Sequence, residues 1–322
     1  MPIVELQHVR KVYDTKVAVE DLSFTIEPGT MFGLLGPNGS GKTSSIRMMI
    51  GITVPDSGTV SLFGQPFTRT VLARVGYLPE ERGLYKKMNV MDQLIFLGQL
   101  HGLPASVASK RAHLWCEKLA ITEAIPKKTE DLSKGMQQKI QFISTLLHDP
   151  DLILMDEPFS GLDPVNAVLL MDTLVDLRKQ GKAVLFSTHR MDQVEKLCDS
   201  IALIHRGHLV LSGSMRQIKS SYPRNRVVVH FEGGDGFLEH PSIESLKRYN
   251  GHAEIKLRPS ATLADDAQSL LAQAIAHARV TRFEVMEPTL EEIFIEKVQQ
   301  ESPAANGRET TRETPAGVLI DA

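Results

Sequence analysis

An apolar run, TMFGLLG, passes straight into GPNGSGKT at residues 36–43, and this junction restricts the fold more than any other feature of the chain. Gly36, Gly41, Lys42 and Thr43 stand at the spacing of a phosphate-binding loop, which needs a buried strand before it and a helix after it. MFGLL supplies the strand and TSSIRMMIGI the helix-like run. Glycines let the backbone fold so that amide N–H groups converge on an anion, and a helix beginning near Lys42 turns its positive end to the same point. The loop residues Gly36, Pro37, Asn38, Gly39, Ser40, Gly41, Lys42 and Thr43 therefore read as a cradle for ATP or GTP. Lys42 adds a point charge for phosphate chemistry, and the Thr43 hydroxyl a ligand for Mg2+.

Around this loop, up to about Gly213, β-rich runs (VELQHVRKVY, TMFGLLG, DLILMD, KAVLFST) alternate with helix-like ones such as PVNAVLLMDTLVDLRKQG. That alternation predicts an α/β domain over residues 1–215 with a largely parallel sheet. A polar break at SSYPRNR precedes a second region with a strand VVVHF, a helix from near Leu263, a strand VTRFEVME and a last helix opened by a capping box, Thr289 and Glu292. Residues 220–300 are thus expected to form a small α+β domain. Residues 301–322 are polar and aperiodic, the pattern of a disordered tail.

At 322 residues the chain has material for about two domains. With 36 basic against 39 acidic residues, it is not built to coat nucleic acid, and no nucleic-acid partner is expected. No apolar stretch approaches the ~18 residues of a membrane helix, and residues 1–10 lack a signal-peptide pattern, so the chain is expected to be cytoplasmic. Cys116 and Cys198 lie far apart in helix-like stretches and read as reduced, buried thiols.

Two acids end the apolar run DLILMD–E. Ligands of open parallel sheets sit beyond the carboxyl ends of the strands, where Asp156 and Glu157 are delivered. Asp156 is expected to hold Mg2+ through water. Glu157, pointing the other way if the strand persists, would face the γ-phosphate and orient or deprotonate a water. KAVLFST ends at His189, which is expected beside that strand and able to donate to the γ-phosphate. His205 and His208 look like a metal pair, but Arg206 and Gly207 between two apolar runs read as a hairpin turn.

At LSKGMQQK, residues 132–139, followed by helix-like KIQFISTLL, the chain resembles the signature segment of ABC ATPases. Phosphate loop, signature, DLILMDE, SGLD at 160–163 and His189 occur in that family's order over residues 1–215. The family favours glycine and glutamine where Lys134 and Met136 stand, whereas Ser133 and Gly135 are kept. The resemblance implies a P-loop NTPase fold with a helical signature subdomain, ATP as the nucleotide, and ATP hydrolysis coupled to transmembrane transport. It also implies a head-to-tail dimer, or a paired ATPase subunit, in which Ser133 and Gly135 of one protomer cap the ATP held by the other. Tyr13 matches the aromatic that stacks on adenine, though a half-buried strand tyrosine is an alternative, and Asp163 matches the acid that contacts the facing subunit. Glu80, in YLPEERGLYKK, stands where the family has a glutamine near Mg2+; a carboxylate there crowds Asp156 and Glu157 with like charge.

LPEERGLY, the signature variant and the ending EPTLEEIFIE together look like the sodium-exporter-like group of ABC exporters. In that group the ATPase is a peripheral chain on the cytoplasmic face and separate permease subunits cross the membrane. Regulation, dimer contact and plain structural extension all stay open for residues 220–300. A competing reading, an ATP switch on nucleic acid or ribosomes, would want coiled coils or two fused ATPase halves, and the chain has neither.

Overall fold

Thr30 to Gly36 becomes a strand and loop in which every residue of the strand is buried, because the sheet around it is covered on both faces. In a computed structural model, which describes residues 1–81, 83–258 and 263–301, the chain opens with β1 (Val4–Tyr13), β2 (Lys16–Ile26) and β3 (Met31–Leu35). The glycine-rich loop leads into α1 (Lys42–Met49), followed by β4 (Ser57–Leu62), the short β5 (Gln65–Pro66) and β6 (Val75–Leu78). A helical lobe, α2 (Val90–Leu100), α3 (Ala105–Lys118) and α4 (Lys134–Leu146), comes next. Then follow β7 (Leu152–Asp156), α5 (Pro164–Lys179), β8 (Ala183–Thr188), α6 (Met191–Leu197), β9 (Ser200–His205), β10 (His208–Ser214) and α7 (Met215–Ser220). The second region holds β11 (Arg226–Gly233), β12 (Ile243–Tyr249), β13 (His252–Leu257), α8 (Leu263–His277), β14 (Ala278–Met286) and α9 (Leu290–Glu301).

Among the described residues one sheet runs β5-β4-β1-β2-β10-β9-β3-β8-β7-β6. The largely parallel sheet expected from the sequence holds only for β9-β3-β8-β7-β6. β1, β2, β4 and β5 form an antiparallel arm, joined to the parallel half where His208 of β10 pairs with Asp21 of β2. The cause is connection length: Asp14 and Thr15 alone separate β1 from β2, and a parallel crossover needs a dozen residues or more. Side chains alternate between two cores. Met31, Leu35, Ile153, Met155, Val184 and Phe186 face the helical lobe and α6, whereas Phe32, Leu34, Leu152, Leu154 and Leu185 meet Ile46 and Met49 of α1 and the antiparallel arm.

β9 and β10 are a hairpin in which His205 pairs with His208 and Arg206 and Gly207 both take positive φ, the turn expected from the sequence. The small sheet runs β12-β13-β11-β14 and packs Val227, Val229, Phe231, Ile255 and Leu257 against Leu270 and Ala274 of α8. Its β12-β13 hairpin was absent from the sequence reading, although Asn250-Gly251 between two polar-apolar runs is a strong turn signal and Gly251 has φ 80°. The capping box forms as expected: Thr289 N donates to Glu292 Oε2 at 2.9 Å and Glu292 N to Thr289 Oγ1 at 3.3 Å. Helix α9 then returns to the larger unit, where Leu290 and Ile293 join the core that holds Met31 and Val194. The tail expected after Glu301 lies outside the described residues. No helix among the described residues is long and apolar enough to cross a membrane.

Candidate functional site

The loop between β3 and α1 is held from behind by backbone. Gly36 (φ 151°) and Gly41 (φ 114°) take left-handed conformations, and a Cβ on them would lie 2.1 Å from Ile204 O and 2.4 Å from Ala18 O. Only glycine fits at either position. The β9-β10 turn adds a hydrogen bond from Gly207 N to Ser40 O at 3.0 Å. Helix α1 starts at Lys42 with no side chain capping its first turn and no acid in it, so its first amides are left for an external anion. The Lys42 ammonium folds over the loop, donating to Gly36 O at 2.7 Å and Pro37 O at 3.1 Å. Burial lowers its pKa, against the opposing pull of Glu157, Asp156 and Glu80.

In front of the loop opens a cleft of ≈ 470 Å³. Asn38, Gly39, Gly41, Lys42 and Thr43 line it together with Tyr13, Glu80, Asp156 and Glu157, so three carboxylates share the cleft with the Lys42 ammonium. Gly36, Pro37 and Ser40 stand behind this wall rather than in it. Lys16, Ala18 and Ser44 line the cleft as well, and the sequence reading missed them. Lys16 had a signal: two residues, Asp14 and Thr15, make the turn that pairs it with Tyr13. Tyr13 ends β1 at 39% exposure, its hydroxyl 3.5 Å from Thr53 Oγ1 and Lys11 Nζ 5.5 Å from its ring centroid.

The two acids differ in setting. Asp156 is buried at the end of β7; its Oδ1 accepts a short hydrogen bond from Ser187 Oγ, and its Oδ2 has no partner among the described residues. A buried carboxylate oxygen without a partner is costly and fits a cation or its water. The condition set for Glu157, that the strand persists through it, is not met: β7 stops at Asp156, and Glu157 turns into the left-handed region at φ 48°. That conformation costs roughly 1–2 kcal/mol in a non-glycine residue. It carries the side chain across to β8, where Oε1 accepts from His189 N at 3.1 Å and lies 2.8 Å from His189 Nδ1, while Oε2 accepts from Thr188 Oγ1 at 3.2 Å. His189 follows β8, next to β7 as expected, but its ring meets Glu157 rather than the cleft. Among the described residues no cluster of three or more His, Cys, Asp and Glu forms a closed metal cage. Mg2+ does not ask for one, since it takes one or two carboxylates with substrate phosphates and water.

Ser133, Gly135 and Asp163 are not brought to this cleft. Ser133 caps α4, accepting from Met136 N at 3.2 Å, and Asp163 caps α5, accepting from Asn166 N at 2.9 Å. The Asn166 hydrogen bonds lower the Asp163 pKa. The two caps lie near one another, a Cβ at Gly135 being 3.7 Å from Leu162 Cδ2. The cysteines are free and buried as expected, and burial raises both thiols, Cys116 to about 11.

Residues 19–160 match the family described as ABC transporter, and residues 213–298 match the C-terminal domain described as ATP-binding protein DrrA1-3-like. Over 297 residues the chain is 41% identical to an uncharacterized ABC transporter ATP-binding protein, YhaQ, of Bacillus subtilis (strain 168), covering 92% of this chain and 98% of that one. The linearmycin resistance ATP-binding protein LnrL of the same organism is 33% identical over 304 residues, 91% of this chain and 97% of the other. A Nod factor export ATP-binding protein I of Cupriavidus metallidurans is 35% identical over 222 residues, 68% of this chain and 73% of its own. Among solved structures, an ATP binding subunit of an ABC transporter superposes with a TM-score of 0.64 at 27% identity, over 68% of this chain and 92% of that one.

Proposed function

Because the chain belongs to the ATP-binding proteins of ABC transporters, we propose that it hydrolyses ATP in the cleft at Lys42 and thereby drives export through separate membrane subunits. The observation that carries the hydrolytic part is the placement of the Glu157 carboxylate, which lines the cleft with Lys42 and is oriented by three donors from Thr188 and His189. The export direction rests on relatives named for linearmycin resistance and Nod factor export.

In this reading the amides of residues 38–43 and the Lys42 ammonium bind the β- and γ-phosphates, and Tyr13 offers its ring to the base. Asp156 Oδ2, the Thr43 hydroxyl and Glu80 would hold Mg2+, which supplies charge neutralisation at the phosphates when bound. Glu157 takes the proton of the attacking water on its carboxylate and aligns that water with the γ-phosphorus. With Glu157 ionised, His189 Nδ1 carries the hydrogen of the 2.8 Å contact, so the imidazole fixes the base in position. Ser133, Gly135 and Asp163, absent from the chain's own cleft, act on the nucleotide of a paired ATPase, which makes the working unit a dimer on the cytoplasmic face of the membrane. The test is co-expression of the chain with its genomic neighbours. Recovery of a multi-span membrane protein whose presence stimulates ATP hydrolysis supports the reading; recovery of nucleic acid instead, or absence of ATP turnover in the complex, defeats it.

A further inference from the structure

Glu157 and His189 are held by a turn whose next element is α6, and α6 is only seven residues long. So short a helix has no stability of its own and takes its position from what packs on it. On its inner side α6 presses on β3, where a Cβ at Gly33 would lie 2.7 Å from Val194 Cγ1. On its outer side sits Glu195. Its Oε1 accepts from Leu290 N at 2.8 Å and from Lys219 Nζ at 3.1 Å, so one carboxylate ties α6 to α7 and to the first turn of α9.

Helix α9 is anchored from both ends of this contact. Leu290 and Ile293, 3% and 1% exposed, lie in the same core cluster as Val194, Cys198 and Ile218, and Phe294 meets His205 edge-on at 5.8 Å. His205 starts the turn whose Gly207 N supports Ser40 of the phosphate loop. In the other direction, Glu292, which closes the cap of α9, also binds Arg226 at 3.0 Å at the head of the small sheet. The small domain is thereby in contact, through α9, with the helix that follows His189 and with the hairpin behind the phosphate loop.

We infer that Glu195 is a positioning residue for hydrolysis: by clamping α9 and α7 to α6 it holds the Thr188–His189 turn, and with it the Glu157 carboxylate, in the hydrolytic geometry. This rests on the role given to Glu157 above. ATP binding is expected to be spared, because Glu195 itself touches neither the loop nor α1, and Lys42, Thr43 and the loop amides are carried by β3 and α1. Chemistry is not.

The experiment compares full-length Glu195→Ala, Glu195→Gln and Leu290→Pro with the parent, in complex with the membrane subunits. Proline at the first position of α9 removes the donor from the opposite side and stays compatible with a helix start, but it also takes the Leu290 side chain out of the core, so Leu290→Ala, which loses the same packing and keeps the donor, is its control. Glu195→Ala and Leu290→Pro are expected to lower kcat at least about 10-fold with the dissociation constant for ATP within about two-fold, as misplacement of a catalytic group would. Amide exchange across residues 189–197 should rise in both. Glu195→Gln keeps an acceptor for Leu290 N and should recover most of the kcat. Unchanged kcat in Glu195→Ala, or a loss of ATP affinity matching the loss of kcat, overturns the inference. Glu157→Gln in the same assay separates the two levels: if it turns over normally, the assignment of Glu157 fails and Glu195 has no target. If it is inactive while Glu195→Ala stays active, the clamp alone is wrong.

Discussion

His189 Nδ1 lies 2.8 Å from Glu157 Oε1, although 32 residues separate them in the chain. The carboxylate is the more enclosed partner, with 12% of its side chain exposed against 53% for the imidazole, so the histidine covers the acid from the solvent side. Replacing Glu157 by glutamine keeps the acceptor for His189 and removes the carboxylate proposed as the base. Hydrolysis should fall by at least about 10²-fold while ATP-bound dimers accumulate, as read by phosphate release and size-exclusion chromatography with ATP. Turnover at the parent rate would remove Glu157 from the chemistry.

Lys42 is buried among backbone carbonyls, its ammonium disfavoured by burial and favoured by three nearby carboxylates. Lys42→Ala should weaken ATP binding by roughly 10- to 100-fold, the worth of about 1.5–3 kcal/mol for hydrogen bonds to a charged group. Calorimetric titration of ATP into the purified chain measures it.

Glu80 shares the cleft with Asp156 and Glu157, so their mutual repulsion, offset in part by Lys42, is relieved further when Mg2+ binds. Glu80→Gln should make ATP binding less dependent on Mg2+, moving the half-saturating metal concentration or flattening the titration. Superimposable Mg2+ titrations of parent and variant would refute the effect.

Ser133 has two jobs in this reading, capping its own helix and meeting a partner's phosphate. Ser133→Asp keeps the cap, worth about 1 kcal/mol, but sets a negative charge against the phosphate. ATP-driven dimerisation and hydrolysis should be lost while the monomer keeps its ATP affinity. Lost affinity in the monomer would contradict action across an interface.

At the end of the helical lobe, His101 and His148 stack with ring centroids 3.9 Å apart. Burial, reinforced by the His101 ring, pushes His148 down to about 4, and burial also lowers His101. In the unfolded chain a histidine titrates near 6.5, so between about pH 6.5 and 4 the unfolded state binds more protons and stability falls as pH drops. Above that window both states are neutral and the effect vanishes. Urea midpoints at pH 7 and pH 5 should differ for the parent and differ less for His148→Gln.

The phosphate loop, the acid pair, the HRGH turn and the Thr289–Glu292 box were all legible in the sequence because each depends on neighbours a few residues apart. A strand, three glycines, a lysine and a threonine in order are a local pattern for such a loop. The left-handed turn at Glu157 was not legible, nor were Lys16 in the cleft wall, the antiparallel arm and the clamp of Glu195 on Leu290. These depend on which segments meet after the chain has crossed itself: β8 beside β7 draws Glu157 out of the strand, and α9 returns to α6 from 95 residues away. Local sequence thus determined the glycine-rich loop before α1 and the acid pair at the end of β7. Tertiary packing alone decided where the Glu157 carboxylate points and what holds it there, because hydrogen-bond partners distant in sequence are chosen by the buried apolar faces that bring their elements together.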